Sequence, residues 1–81
     1  MYFFKNIDKT KLLDGRTITY IAREKVDIMP SFLSAIFSGR RGCSFKTARR
    51  VTKAINPEAI VEDYFYEDKE KPRYTKVNKN N

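Results

Sequence analysis

Residues 17–55 read TITYIAREKVDIMPSFLSAIFSGRRGCSFKTARRVTKAI, and this stretch decides the fold. Behind Thr17, a good N-cap, Ile18, Ile21, Ala22 and Val26 recur at helical spacing while Arg23, Glu24 and Lys25 face outward. The helix they predict ends near Asp27. Pro30 presets the dihedral of a new first turn, and Phe32, Leu33, Ile36 and Phe37 follow three and four apart until Gly39 stops the helix. Ser44 caps a further helix whose apolar stripe is Phe45, Ala48, Val51 and Ile55, with Lys46, Arg49, Arg50 and Lys53 elsewhere on its circumference.

Working outward, Asn6 or Asp8 caps a short helix that runs to about Leu13, offers Ile7, Leu12 and Leu13 for burial, and ends at Gly15. Ahead of it, Tyr2, Phe3 and Phe4 suit either a short strand or an apolar clip over a helical core. On the other side, Asn56 followed by Pro57 repeats the cap-then-proline start. It predicts a fifth helix with Ile60, Val61, Tyr64 and Phe65 inward and Glu58, Glu62 and Asp63 outward, an acidic first turn that suits the helix dipole. Pro72 prevents that helix from continuing far. Residues 73–77 alternate weakly and are open to an edge strand beside residues 2–5, although a flexible end is the preferred reading. The expected fold is all-α, a compact bundle of four or five short helices with at most a minor terminal strand.

Eighty-one residues with 41% hydrophobic and 33% charged side chains fit one small globular domain and exclude a disordered chain. Seventeen Lys and Arg against ten Asp and Glu leave a net charge of +7, which points to an acidic partner. Between Asp27 and Glu58 there is no acidic residue, whereas Arg40, Arg41, Lys46, Arg49, Arg50 and Lys53 all fall in that interval. The acids Glu58, Glu62, Asp63, Glu67, Asp68 and Glu70 follow directly, and for Arg49, Arg50 and Lys53 a solvated face is the simpler reading. With no His and one Cys, the chain cannot assemble a disulfide framework, a His-type metal site, a Ser-His-Asp triad or a Cys-His dyad. Asp63 and Glu67 read as ordinary surface charge and Cys43 as a structural thiol, so the chain is expected to be no enzyme and to need no metal or cofactor. No apolar run approaches the roughly 18 residues of a membrane span and no signal region opens the chain, which reads as cytoplasmic with no membrane partner.

Thr17, Ile21 and Ala22 match a capping residue, a buried aliphatic and a small residue where two helices cross closely. Leu33, Ser34, Ile36, Ser38, Gly39, Arg40 and Arg41 match a second helix with its glycine-basic turn, and Ser44, Ala48, Arg49, Val51 and Ile55 match a supporting helix. In these features residues 17–55, about half of the chain, resemble the helix-turn-helix of lambda-repressor-like and Cro-type regulators of phages and mobile elements. The resemblance implies a helix-turn-helix DNA-binding domain over residues 1–66, followed by a charged, flexible tail over 67–81. It also implies double-stranded DNA as partner, with pairing to a second copy of the chain and action as a sequence-specific transcriptional regulator, repressor or Cro-like.

On that resemblance the helix from Pro30 enters the major groove. Pro30, Ser31 and Ser34 match the positions facing base edges. Ala35 lies one step further, where it would meet a thymine methyl, and Met29 and Phe32 offer apolar contacts at the helix mouth. Ser38, Arg40, Arg41, Lys46 and Thr17 are the phosphate-contact candidates, Thr17 through its hydroxyl or the amides at the start of its helix. Two features depart from the family pattern. The spacing from Ala22 to Val26 is one residue longer than usual and Asp27 stands where glycine is most common, which puts the register of the recognition helix in question. No Arg, Lys, Asn or Gln lies between Val26 and Ser38, so side chains able to form bidentate base pairs, worth about 1–3 kcal/mol each, are missing from that helix. This keeps an alternative open: a protein-interaction module with the same fold, acting on a partner repressor or toxin.

Overall fold

Asp8 caps the first helix through its carboxylate, which accepts the Thr10 N–H at 3.0 Å. Helix α1 covers Lys9–Leu13 in a computed structural model that describes residues 1–70. The chain leaves α1 through two left-handed residues, Asp14 at φ 50° and Gly15 at φ 84°. Thr17 then accepts the Tyr20 N–H at 3.0 Å and opens α2, Ile18–Tyr20, which continues as a π-helical segment over Ile21–Val26. A π turn closes its hydrogen bonds one residue further along than an α turn. The helix widens in this way over Ile21–Val26, ahead of Asp27. Asp27 follows at φ 64°, and the amides of Asp27 and Ile28 both donate to the Ala22 carbonyl.

Helix α3, Pro30–Phe37, has proline in its first turn, buries Leu33, Ile36 and Phe37, and is followed by Gly39 at φ 81°. Helix α4, Phe45–Ile55, is capped by Ser44, whose hydroxyl accepts the Thr47 N–H at 3.2 Å. Its inward residues are Ala48, Val51, Thr52 and Ile55. Phe45, expected inward, is 48% exposed. Helical side chains lean toward the N-terminus, so this first residue of α4 projects off the helix end, against the Tyr2 ring at 5.4 Å.

The all-α expectation is corrected by the chain ends. β1, Tyr2–Phe4, pairs antiparallel with β2, Phe65–Glu67, setting Tyr2 opposite Glu67, Phe3 opposite Tyr66 and Phe4 opposite Phe65. Lys5 donates to Tyr64 O at 2.8 Å and Asp68 to Met1 O at 2.9 Å, extending the ladder at both ends. On its other edge β1 exchanges two backbone bonds with Cys43, at 2.8 and 2.9 Å. Among the described residues the result is a small mixed fold, five helices with a two-stranded antiparallel sheet. The reason is burial: Phe3, Phe4 and Phe65 enter the core, and the backbone polar groups they carry inward need partners that the strand pairing supplies.

The expected fifth helix is also shortened, to α5, Val61–Tyr64. Asn56 Oδ1 accepts the Glu58 N–H, and Ala59 N–H donates back to Asn56 O, both at 3.0 Å, so residues 56–59 close a turn instead of starting a helix. Ala59 is buried by that turn and Ile60, expected inward, is 57% exposed. The strand considered at 73–77 lies outside the described residues, as does most of the expected tail, 67–81.

The core lies where α4 packs on the π segment and contains Ile21, Ala22, Val26, Leu33, Ile36 and Val51, all fully buried. Phe4 joins it edge-on to Phe37 and Phe65, with centroids 4.9 and 5.4 Å away. Arg16 fastens two helix ends together. Its guanidinium donates to Leu13 O at 2.9 Å and Leu12 O at 3.4 Å, closing α1, and to Ala54 O and Ile55 O at 3.0 Å, closing α4. Among the described residues no helix is long and apolar enough to cross a membrane.

Candidate functional site

With Leu33, Ile36 and Phe37 turned inward, α3 presents Ser31, Ser34, Ala35 and Ser38 along its opposite side, at helical spacings of three and four. This is a stripe of short side chains. Ser31 and Ser38 are exposed, Ser34 and Ala35 half-buried. At the N-terminal end of the stripe Met29 is 67% exposed, and with Pro30, Ile28, Asp27, Glu24 and Arg23 it lines an open cleft. The left-handed Asp27 and the π segment position this end: they set where α3 starts relative to α2, which packs against it.

The C-terminal end is built differently. Ser38 Oγ donates to Ala35 O at 2.9 Å and accepts from Arg40 Nε at 3.0 Å, so the serine expected to reach a phosphate also braces an exposed arginine beside the stripe. Arg41 stacks its guanidinium on the Phe32 ring, 4.3 Å from centroid to Cζ. Cation and ring cover one another. Phe32 is therefore half-buried, and Arg41, also half-buried, is held against the protein. Lys46 is exposed in the first turn of α4, and Thr17 is exposed at the start of α2 with its hydroxyl oxygen already capping the helix.

The candidates fall into two groups. Met29, Pro30, Ser31, Phe32, Ser34, Ala35 and Ser38 share α3 and its cap, with Arg40 and Arg41 tied back to the same helix through Ser38 and Phe32. Thr17 and Lys46 belong to other elements. Three contributors, Arg16, Lys5 and Gly42, were not singled out from the sequence, and a fourth, Lys53, was read differently. Arg16 has a legible signal, a cation just beyond a helix end, but its second helix end is contributed by residues 38 and 39 positions away. Lys53, expected on a solvated face, donates to Pro57 O at 3.2 Å and Ala59 O at 2.7 Å. Lys5 donates to Glu62 O at 2.6 Å. Gly42 is buried against Phe3, and no sequence pattern announces that contact.

Burial pushes the Cys43 thiol from its ordinary value of 9.0 up to about 11, against the opposing pull of Arg41 and the N-terminal ammonium. The Tyr2 hydroxyl is also raised, by desolvation and then by the carboxylates of Glu67 and Glu62. Neither group is poised as a nucleophile or base near neutrality. Among the described residues no group of three His, Cys, Asp or Glu side chains could hold a metal ion. What the outward stripe of α3 offers chemically is hydroxyl donors and acceptors on short side chains, flanked by cations. Comparison with protein-family models, curated proteins and solved structures finds no match for this chain.

Proposed function

We propose that the protein is a helix-turn-helix regulator of phage or mobile-element type that binds double-stranded DNA, with α3 in the major groove. The observation that carries this reading is the Ser31, Ser34, Ala35, Ser38 stripe, within an interval from residue 28 to 57 that has cations and no carboxylate side chain. Short side chains allow a helix to approach base edges closely, and hydroxyls both donate and accept. Arg40, exposed in the α3–α4 connection, and Lys46, exposed in the first turn of α4, supply phosphate contacts that fix the approach without reading sequence. The π turn and left-handed Asp27 set the α2–α3 register, and with it the base steps that α3 would reach on its operator.

Fluorescence anisotropy with DNA flanking its own gene tests the reading. Affinity falls steeply as salt rises; Arg40→Ala flattens the slope by about one unit and the Arg40→Ala, Arg41→Ala pair by up to about two. Ser31→Ala and Ser34→Ala reduce preference for operator over random DNA and leave the slope unchanged. Absence of binding at low salt refutes the reading.

One observation favours a second reading, a module that binds a partner repressor or toxin: the outward stripe of α3 contains no Arg, Lys, Asn or Gln. A stoichiometric protein complex, pulled down from cells that encode the neighbouring regulator and showing no preference among DNA sequences, selects it.

A further inference from the structure

Among the large apolar side chains left exposed away from α3 are Phe45 at the start of α4 and Ile60 just before α5. They line one groove together with Val61, Arg49, Lys53 and Glu62. Its walls differ in sign. Arg49 and Lys53 belong to α4, while Glu62 belongs to α5. The Tyr2 ring continues the apolar floor beyond Phe45.

The groove is also held in shape. Lys53 pins Pro57 O and Ala59 O, the Asp63 carboxylate accepts the Ile60 N–H at 3.0 Å, and Lys5 holds Glu62 O. Ile60 is thus presented outward on a turn fastened from three sides, a preorganised arrangement that loses little freedom on contact. An apolar floor between a basic and an acidic bank is complementary to itself: rotation by a half-turn about an axis along the groove lays the basic bank of one copy on the acidic bank of another.

We infer that the α4–α5 groove is a self-association surface, on which two copies pair about a two-fold axis with Ile60 and Phe45 at the centre and Arg49 of each facing Glu62 of its partner. The surface shares no residue with the α3 stripe, so a dimer formed this way leaves both stripes free.

Sedimentation velocity on the full chain without DNA tests this. The wild-type chain forms a dimer that weakens with rising salt, because charge pairs at the rim are screened. Arg49→Glu and Glu62→Arg, both at exposed positions, each place like charges together and weaken self-association at least about tenfold. Mixed in equal amounts, these two variants form a heterodimer, since every cross-interface pair is then opposite in sign. Ile60→Glu removes association in wild-type and mixed samples alike. A wild-type chain that stays monomeric overturns the inference and leaves the groove to a different protein; a dimer indifferent to salt and to both reversals, or variants that do not recombine, overturns it as well. Because no DNA is present, failure here leaves the DNA-binding reading standing, and failure of DNA binding leaves this one standing.

Discussion

Replacing Arg16 with alanine should destabilise the domain by about 3 kcal/mol. Three of its four hydrogen bonds are short, to Leu13 O, Ala54 O and Ile55 O, and the fourth, to Leu12 O at 3.4 Å, contributes little. Bonds from a charged donor contribute roughly 1.5–3 kcal/mol each when buried. Arg16 is only half-buried, so solvent screens these bonds and water satisfies part of the exposed carbonyls once it is gone; each short bond then contributes about 1 kcal/mol, and the total falls at about 2–4 kcal/mol. The whole domain is expected to be stable by roughly 4–12 kcal/mol, so the loss is a large fraction of it. Thermal unfolding followed by circular dichroism should show the midpoint lowered by about 10–25 °C. Arg16→Lys should recover at most about 1 kcal/mol, because an ammonium lacks the fork that spans the ends of α1 and α4. Arg50→Ala, on the exposed side of α4, should stay within about 0.5 kcal/mol of wild type. A loss below about 1 kcal/mol for Arg16→Ala, or full rescue by lysine, refutes the account of Arg16 as the tie between two helix ends.

Gly42→Ala would place a Cβ 2.8 Å from Phe3 Cζ and 3.1 Å from Met1 Cβ; with Phe3 fully buried, urea unfolding should show a loss of about 1–3 kcal/mol. Adding Phe3→Leu should give a double variant less destabilised than the sum of the two single changes. Asp27→Gly should stabilise by about 0.5–1 kcal/mol, since it relieves a side chain held at φ 64°, whereas Asp27→Val should destabilise by more than that. Cys43 keeps its proton more tightly folded than unfolded, so its effect on stability is constant below 9.0 and falls away as pH rises toward about 11. Denaturation at stepped pH should show Cys43→Ala lacking that component of the alkaline decline, which is no steeper than about 1.4 kcal/mol per pH unit for a single proton.

Much of the helical layout is legible locally. Asp8, Thr17 and Ser44 are side-chain caps, Pro30 lies in a first turn and Gly39 ends α3, because capping and turn chemistry act over three or four residues. Errors begin where a contact comes from far along the chain. Phe45 and Ile60 fit an inward periodicity, yet whether an inward position has anything to pack against depends on where neighbouring elements end. The opposite holds for Phe65: its pattern extends a helix, but β1, about sixty residues away in the chain, pairs with its backbone. In the candidate site, Ser31, Ser34, Ala35 and Ser38 were singled out through the resemblance, and their shared outward face follows from where Leu33, Ile36 and Phe37 pack. The stacking of Arg41 on Phe32 and the bracing of Arg40 by Ser38 depend on the path of the turn after α3.

Taken by itself, the sequence determined which segments are helical at the centre of the chain, where the positive charge is concentrated, and that His-based catalytic and metal chemistry is absent, since these depend on residue type and short-range spacing. Only the tertiary structure decided that the ends form a sheet, that the helix after Thr17 widens into a π turn, and that Arg16 and Lys53 fasten the fold while Phe45 and Ile60 stay outside it. The physical reason is the range of the forces involved. A cap or a helical stripe is fixed by neighbours in sequence, whereas burial and the pairing of backbone groups depend on what the rest of the chain brings alongside.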